Sequence, residues 1–250
     1  MMQINVMKDY QDLSRKAADC VAQQIKRRAN SVIGFATGGT PVGMYAELIR
    51  MHQQEGLDFQ QVTSFNLDEY VGLSTDHPQS YYHFMWERLF SQINILPENI
   101  HVPPGIFDDA EAVCRQYEAQ IEQAGGIDLQ ILGIGQNGHI GFNEPRDTFT
   151  VSTHITELAE KTRKANARFF SSEAEVPHRA ITMGIGSIMK ARSILLLASG
   201  RSKAEAVKQI FSGRVDPHIP ASVLQLHPHV MLILDEEAAS LIVDQVPSGR

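Results

Sequence analysis

A chain of 250 residues, 43% hydrophobic and 20% charged, has the composition of a folded globular protein and is long enough to bury a substantial core in one domain. Its 29 acidic against 22 basic residues leave a formal charge of −7, which argues against nucleic-acid binding, because that rests on a basic surface. Two distant cysteines (Cys20 and Cys114), the lack of a basic-then-apolar leader and the lack of any apolar run of membrane-spanning length predict a cytoplasmic protein with buried thiols, and argue against a disulfide scaffold or a CxxC metal site.

Gln3 to Val6 is predicted as a short strand. From Asp9 to Arg28, Leu13, Ala17, Val21 and Ile25 recur with helical period. Ser31 to Ala36 reads as a buried strand that empties into Thr37-Gly38-Gly39-Thr40-Pro41. A helix is expected next, with Thr40 as N-cap, Pro41 in the first turn, and Val42, Tyr45, Ala46 and Ile49 on its apolar face. Val62 to Leu67 is the next strand, delivering Asp68 and Glu69 at its carboxyl end. His77 to Ser80 then starts a helix whose aromatic run, Tyr81, Tyr82, Phe84 and Trp86, is expected to pack in the core. Residues 108–124 are predicted helical, and Ile127 to Leu132 is a strand feeding a turn rich in glycine and polar groups. The polar segment 152–177 is predicted to be irregular and is a candidate mobile lid. Strands at Ala180–Met183, Ser193–Ala198 and Val230–Leu234, with a helix at Ser202–Phe211, complete the order. Strands alternating with helices imply an α/β fold: one domain spanning residues 1–250, with a mostly parallel, Rossmann-like sheet and helices on both faces.

Four stretches carry chemistry. In open α/β sheets, ligands bind beyond the carboxyl ends of the strands, and all four lie there. Thr37 to Pro41 is a Gly-rich connection between strand and helix, where backbone N–H groups and a helix N-terminus suit an anion such as a phosphate ester. It matches neither G-x-G-x-x-G nor G-x-x-x-x-G-K-[ST], which excludes the common dinucleotide and nucleoside-triphosphate fingerprints. Gly200 to Lys203 repeats the arrangement with a cation, Lys203, as a second half of one clamp. Asp68 and Glu69 are adjacent in an extended segment and face opposite ways, so at most one addresses a ligand; a buried carboxylate there is a credible base. In the turn after Leu132, Gly133, Gly135 and Gly138 leave little bulk while Asn137, His139, Asn143 and Glu144 crowd together, and an imidazole beside a carboxylate is suited to moving protons. His227 and His229 share a strand face by spacing, but no Cys or acidic third ligand accompanies them, so no metal site is expected.

Taken together these segments resemble the glucosamine-6-phosphate deaminase family. Thr37 to Pro41, Phe65 to Leu73, His77 to Tyr81, Gly133 to Pro145, Thr162-Arg163, Ala165 to Phe170, Ser202 to Ala204 and Leu224 to His227 occur in family order across nearly the whole chain. The resemblance implies conversion of glucosamine 6-phosphate to fructose 6-phosphate and ammonia, with no cofactor and no catalytic metal. By motif, Asp68 resembles the base at C2 and C1, and His139 the acid/base that opens the ring, supported by Glu144 and Asn137. Thr37, Gly38, Gly39, Thr40, Arg168 and Lys203 resemble the phosphate clamp, and the backbone at Gly133 and Gly135 is expected to face the sugar.

Two departures from the family pattern matter. Many members place Asp where this chain has Asn137, whose amide oxygen can accept from His139 but brings no charge. Longer, allosteric, hexameric members carry basic residues after the central motif and a longer tail. Here Thr150 to Thr156 holds no Arg or Lys and the chain stops at Arg250, so a non-allosteric monomer is expected. Two alternatives remain at this level. One is a 6-phosphogluconolactonase, against which Phe142-Asn143-Glu144-Pro145 and Asp68-Glu69-Tyr70 speak. The other is a non-catalytic sugar-phosphate sensor, which would call for an attached basic DNA-binding segment.

Overall fold

The computed structural model describes residues 2–242 except 168, 169, 171, 173 and 174, with backbone alone at 161 and 165. The elements run β1 (Gln3–Met7), α1 (Tyr10–Arg27), β2 (Val32–Phe35), α2 (Val42–Glu55), β3 (Thr63–Asn66), β4 (Asp68–Tyr70), α3 (Tyr81–Arg88), β5 (Ile100–His101) and α4 (Ala110–Gln123). They continue with β6 (Leu129–Gly133), β7 (His154–Glu157), α5 (Glu160–Asn166), β8 (Arg179–Thr182), α6 (Ile185–Met189), β9 (Ser193–Ala198), α7 (Ala204–Ile210), β10 (Val230–Asp235) and α8 (Glu236–Ala239). Helix starts obey local chemistry: Asp9 accepts from Asp12 N at 2.9 Å, and Ser80 from His83 N at 3.0 Å.

Seven strands form one parallel sheet in the order β1-β10-β9-β6-β2-β3-β5. Alternate residues face opposite layers. Leu195 and Leu197 of β9 pack with Ile33, Phe35 and Ile131 against α1, α2 and α3, whereas Ile194 and Leu196 pack with Val32 and Leu132 against α4, α6, α7 and α8. Burial on both faces is what makes these strands read as continuous apolar runs. From β2 the chain builds outward through β3 to β5, and from β6 it builds the other way through β9 to β10. The connections leaving β2 and β6 therefore part company, opening a crevice at their carboxyl ends.

The small strands depart from expectation. Asp68 does not simply end the preceding strand. Leu67 still bonds to Phe35 O, and at Asp68 the chain enters a second, three-stranded antiparallel sheet, β4-β8-β7, with Asp68 opposite Thr182. Part of the segment expected to be irregular is ordered, as β7 and α5. Its strands are four residues or fewer and mix polar with apolar side chains, too little for a periodic signal. Thr40 is not an N-cap: α2 starts at Val42 after Pro41, with no side-chain cap. Trp86 is not core either. It is 40% exposed and stacks on Tyr82 at 6.3 Å, because only one side of the short α3 meets the sheet.

Candidate active site

The crevice between β2 and β6 holds a cavity of about 380 Å³. Four strand ends supply its wall: Thr37, Gly38, Gly39 and Thr40 after β2, Asp68 after β3, Gly133, Gly135, Asn137 and His139 after β6, and Lys203 after β9. A larger cavity, about 940 Å³, lies between α4, β7 and α6, but none of the predicted site residues lines it. Chemistry, not volume, places the site in the smaller one.

At one end is the Gly-rich loop. Gly38 has φ 102°, a backbone region glycine enters without strain, and it turns the chain sharply out of β2. Among the hydrogen bonds of the described residues, none uses the N–H of Gly38, Gly39 or Thr40. These donors face the cavity with the geometry of a turn that can meet an anion. Across the cavity Lys203 Nζ donates to Ile134 O at 2.7 Å, which holds the ammonium over the end of β6.

At the other end the β6 turn is folded around His139. Gly135 N donates to His139 O at 2.8 Å and Gly138, at φ 84°, closes the turn onto Gly135 O at 3.0 Å. A Cβ on Gly135 would sit 2.3 Å from His139 Cε1, so the imidazole lies directly on a backbone that only glycine leaves bare. His139 Nδ1 is buried and faces Glu144 Oε2 at 3.4 Å. Glu144 is itself buried: its Oε2 accepts the Asn137 amide at 2.8 Å and its Oε1 accepts the Thr162 hydroxyl. Burial raises the Glu144 pKa, but the combined pull of His139, Thr162 and Asn137 outweighs it and holds the carboxyl down to about 2. Asn137 accepts from the His139 backbone N–H at 3.3 Å, not from the imidazole as its position in sequence suggested.

The adjacent carboxyls divide as the strand geometry requires. Asp68 lines the cavity and is only 6% exposed; burial, then the neighbouring Glu69, push its pKa up to about 8. Glu69 turns away and accepts from the backbone N–H groups of Tyr70, Tyr81 and Tyr82 at 2.8, 2.9 and 3.0 Å, fixing the start of α3. Burial raises this carboxyl too, while the three donors pull it down.

Ten of the twelve predicted residues thus line one cavity. Glu144 stands behind them, in contact with His139, and Arg168 lies outside the described residues. Sequence reasoning missed Tyr81, Thr162 and Asn166, which also line it. Tyr81 was hidden in an aromatic run that reads as core, and the four-residue spacing of Thr162 and Asn166 was a helical signal too short to stand out. His227 is not on a strand. It follows a 3-10 turn and is buried, its Nε2 paired with Ala191 O at 2.8 Å and its Nδ1 with His229 N at 3.1 Å, so neither ring nitrogen is available to a metal.

A family model described as glucosamine-6-phosphate isomerases/6-phosphogluconolactonase matches residues 8–232. A protein of Thermoanaerobacter pseudethanolicus named glucosamine-6-phosphate deaminase is 57% identical over 244 residues, covering 98% of this chain and 96% of its own. One of Clostridium perfringens with the same name is 55% identical over 241 residues, covering 96% and 100%. A solved monomeric glucosamine-6-phosphate deaminase superposes with a TM-score of 0.94 at 50% identity, covering 96% of this chain and all of that one. The 6-phosphogluconolactonase of Trypanosoma brucei, at 21% identity, TM-score 0.75 and coverage of 96% and 98%, shares the fold.

Proposed function

The chain belongs to the glucosamine-6-phosphate isomerase and 6-phosphogluconolactonase family, and from that premise we propose that it converts glucosamine 6-phosphate and water to fructose 6-phosphate and ammonia. The phosphate sits on the N–H groups of Gly38 to Thr40 and the hydroxyls of Thr37 and Thr40, opposite Lys203, with Arg168 as a further cation by motif. The sugar crosses Gly133 and Gly135. His139, backed by Glu144, takes the proton from the anomeric hydroxyl and returns it to the ring oxygen as the C1–O5 bond breaks. Asp68 then removes the C2 proton while a proton of the C2 ammonium passes to O1, giving an enolamine, and Asp68 returns its proton to C1, which leaves a C2 imine. Water adds to C2 and ammonia leaves, giving the ketose.

The observation that carries this reading is Asp68: a buried carboxyl, raised to about 8, in the same cavity as an imidazole–carboxylate pair and an anion loop. A proton next to a carbonyl is weakly acidic, so its base must be basic and shielded from water. Lactone hydrolysis needs no base at C2, and a sensor needs neither Asp68 nor the His139–Glu144 pair. Release of ammonia and fructose 6-phosphate from glucosamine 6-phosphate, with 6-phosphogluconolactone in parallel, tests the reading. Turnover of the lactone alone would overturn it.

The working unit is a monomer, as the name of the solved relative at 50% identity says of that protein. No helix of the described residues is long and apolar enough to cross a membrane. A phosphorylated sugar does not leak through membranes, which fits a cytoplasmic site of action. The net charge of −7 fits a protein that does not engage nucleic acid.

A further inference from the structure

Helix α5 grips the site at two points one turn apart. Thr162 and Asn166 are four residues apart, so their side chains share one face, and both line the cavity. Thr162 holds Glu144, which in turn holds Asn137 and faces His139. Asn166 Nδ2 donates to the Tyr70 hydroxyl at 2.8 Å, and the Tyr81 hydroxyl donates to that same oxygen at 3.3 Å. Tyr81 is also in polar contact with the side chain of Thr37, the first residue of the Gly-rich loop. A path thus runs around the cavity from Thr37 through Tyr81 and Tyr70 to Asn166 by side-chain contacts, then along one turn of α5 to Thr162, which holds Glu144.

The phenols are held firmly. Tyr70 is 2% exposed, with its ring 4.8 Å from that of Tyr81, and Tyr81 stacks on Phe142 at 6.0 Å and 12°. Phe142 lies in the connection that carries both His139 and Glu144. Here the donors of Asn166 and Tyr81 converge on one oxygen. A Thr hydroxyl has a single proton to donate, so an anion that takes it leaves the Thr37 oxygen to accept from Tyr81. Tyr70 then donates to Tyr81, and the bonds align in one direction from Asn166 to the anion. Aligned hydrogen bonds polarise and strengthen one another, which tightens the hold on α5.

We propose that Tyr81, Tyr70 and Asn166 are positioning residues that couple a phosphate dianion on the Thr37–Thr40 loop to the placement of α5, and through Thr162 to that of Glu144 and His139. This rests on the loop being the phosphate site, as read above. The distant phosphate then does more than anchor the substrate: its binding helps to assemble the proton-transfer end.

Tyr70→Phe keeps the ring and removes only the oxygen on which the path converges. Hydrogen exchange of the amides in 160–166 is followed with and without saturating inorganic phosphate, whose binding is measured by calorimetry. In the unaltered protein phosphate should slow that exchange several-fold. In Tyr70→Phe phosphate should bind within about threefold of the original affinity yet leave the exchange unchanged. On the full substrate kcat should drop about 5- to 10-fold with KM little altered, the loss of the bonds to the Tyr70 oxygen expressed in turnover. Tyr81→Phe breaks the same path and stands in should Tyr70→Phe not fold. Equal slowing in variant and parent overturns the proposal, as does phosphate binding to the parent without slowing. Failure of phosphate to bind the parent instead removes the phosphate-loop reading, and the coupling with it.

Discussion

Asn137 donates its side-chain amide to Glu144 Oε2 at 2.8 Å, while its oxygen accepts the backbone N–H of His139 at 3.3 Å. Asn137 therefore acts on the carboxylate, not on the imidazole. It helps to hold Glu144 ionised, at a pKa of about 2. Asn137→Asp would replace a donor to Glu144 with a second negative charge, and two carboxylates in one site bind a proton more readily. The acid limb of the kcat/KM profile should move to higher pH, with activity near pH 7 retained. The same logic applies to stability. A depressed carboxyl stabilises the fold above the unfolded value of 4.5 and loses that contribution as pH falls towards 2, so the variant should unfold earlier in acid. An unshifted profile and acid transition would show that the Asn137–Glu144 contact does not govern ionisation there.

Asp68→Asn should abolish turnover and exchange of the C2 hydrogen with solvent while leaving substrate affinity largely intact, since the amide keeps the shape and removes the base. Exchange at the parental rate would exonerate Asp68. The folded carboxyl keeps its proton to about pH 8 whereas an ordinary one releases it near 3.8, so the folded state binds more protons in between. Stability attributable to Asp68 is therefore complete below about pH 4 and lost as pH rises towards 8. The neutral variant escapes this loss and should be more stable at pH 8, by on the order of a few kcal/mol, and no more stable at pH 4. Urea unfolding at the two pH values measures it.

Lys203→Ala should raise KM for glucosamine 6-phosphate about 10- to 150-fold, the equivalent of one charge-assisted hydrogen bond of about 1.5–3 kcal/mol. Any weak activity on free glucosamine should be nearly untouched. Arg168→Ala should behave alike. Equal losses on both sugars would remove either residue from the clamp.

Gly135→Ala should lower kcat by 100-fold or more, because the new Cβ would lie 2.3–2.5 Å from three atoms of the His139 ring and must displace it. A misplacement of about 1 Å is enough for a loss of that size. The side chain next to the gap is displaced rather than the core, so thermal unfolding should change little. A variant with near-normal kcat would show that the ring orientation seen here is not the working one.

By the family resemblance, N-acetylglucosamine 6-phosphate is the effector of the longer, allosteric members; here it should not activate, and saturation by substrate should be hyperbolic. Residues 150–156 carry no Arg or Lys, and Arg146, which reaches them, is bonded through Nη2 to Thr156 Oγ1 at 2.8 Å. An effector shifts an equilibrium only through different affinity for two states, and hydroxyls in place of cations supply little to a phosphate. A Hill coefficient above one that collapses on adding the effector would overturn this expectation.

The amino-acid sequence by itself determined the main sheet and most of the cavity wall, because both are written in local signals. Strands buried on both faces need unbroken apolar runs such as Ile194–Leu197, and the sharp turn out of β2 needs glycine at Gly38. The opposed directions of Asp68 and Glu69 followed from strand geometry alone. Only the tertiary structure decided what joins these parts. Thr162 meets Glu144 across 18 positions of sequence and Asn166 meets Tyr70 across 96. Asn137 turns to a carboxylate instead of the ring two residues away. The second sheet carries Asp68 into the cavity on strands of three and four residues. Such contacts depend on which surfaces the folded chain brings together, and a side chain's partner many residues away leaves no periodicity to read.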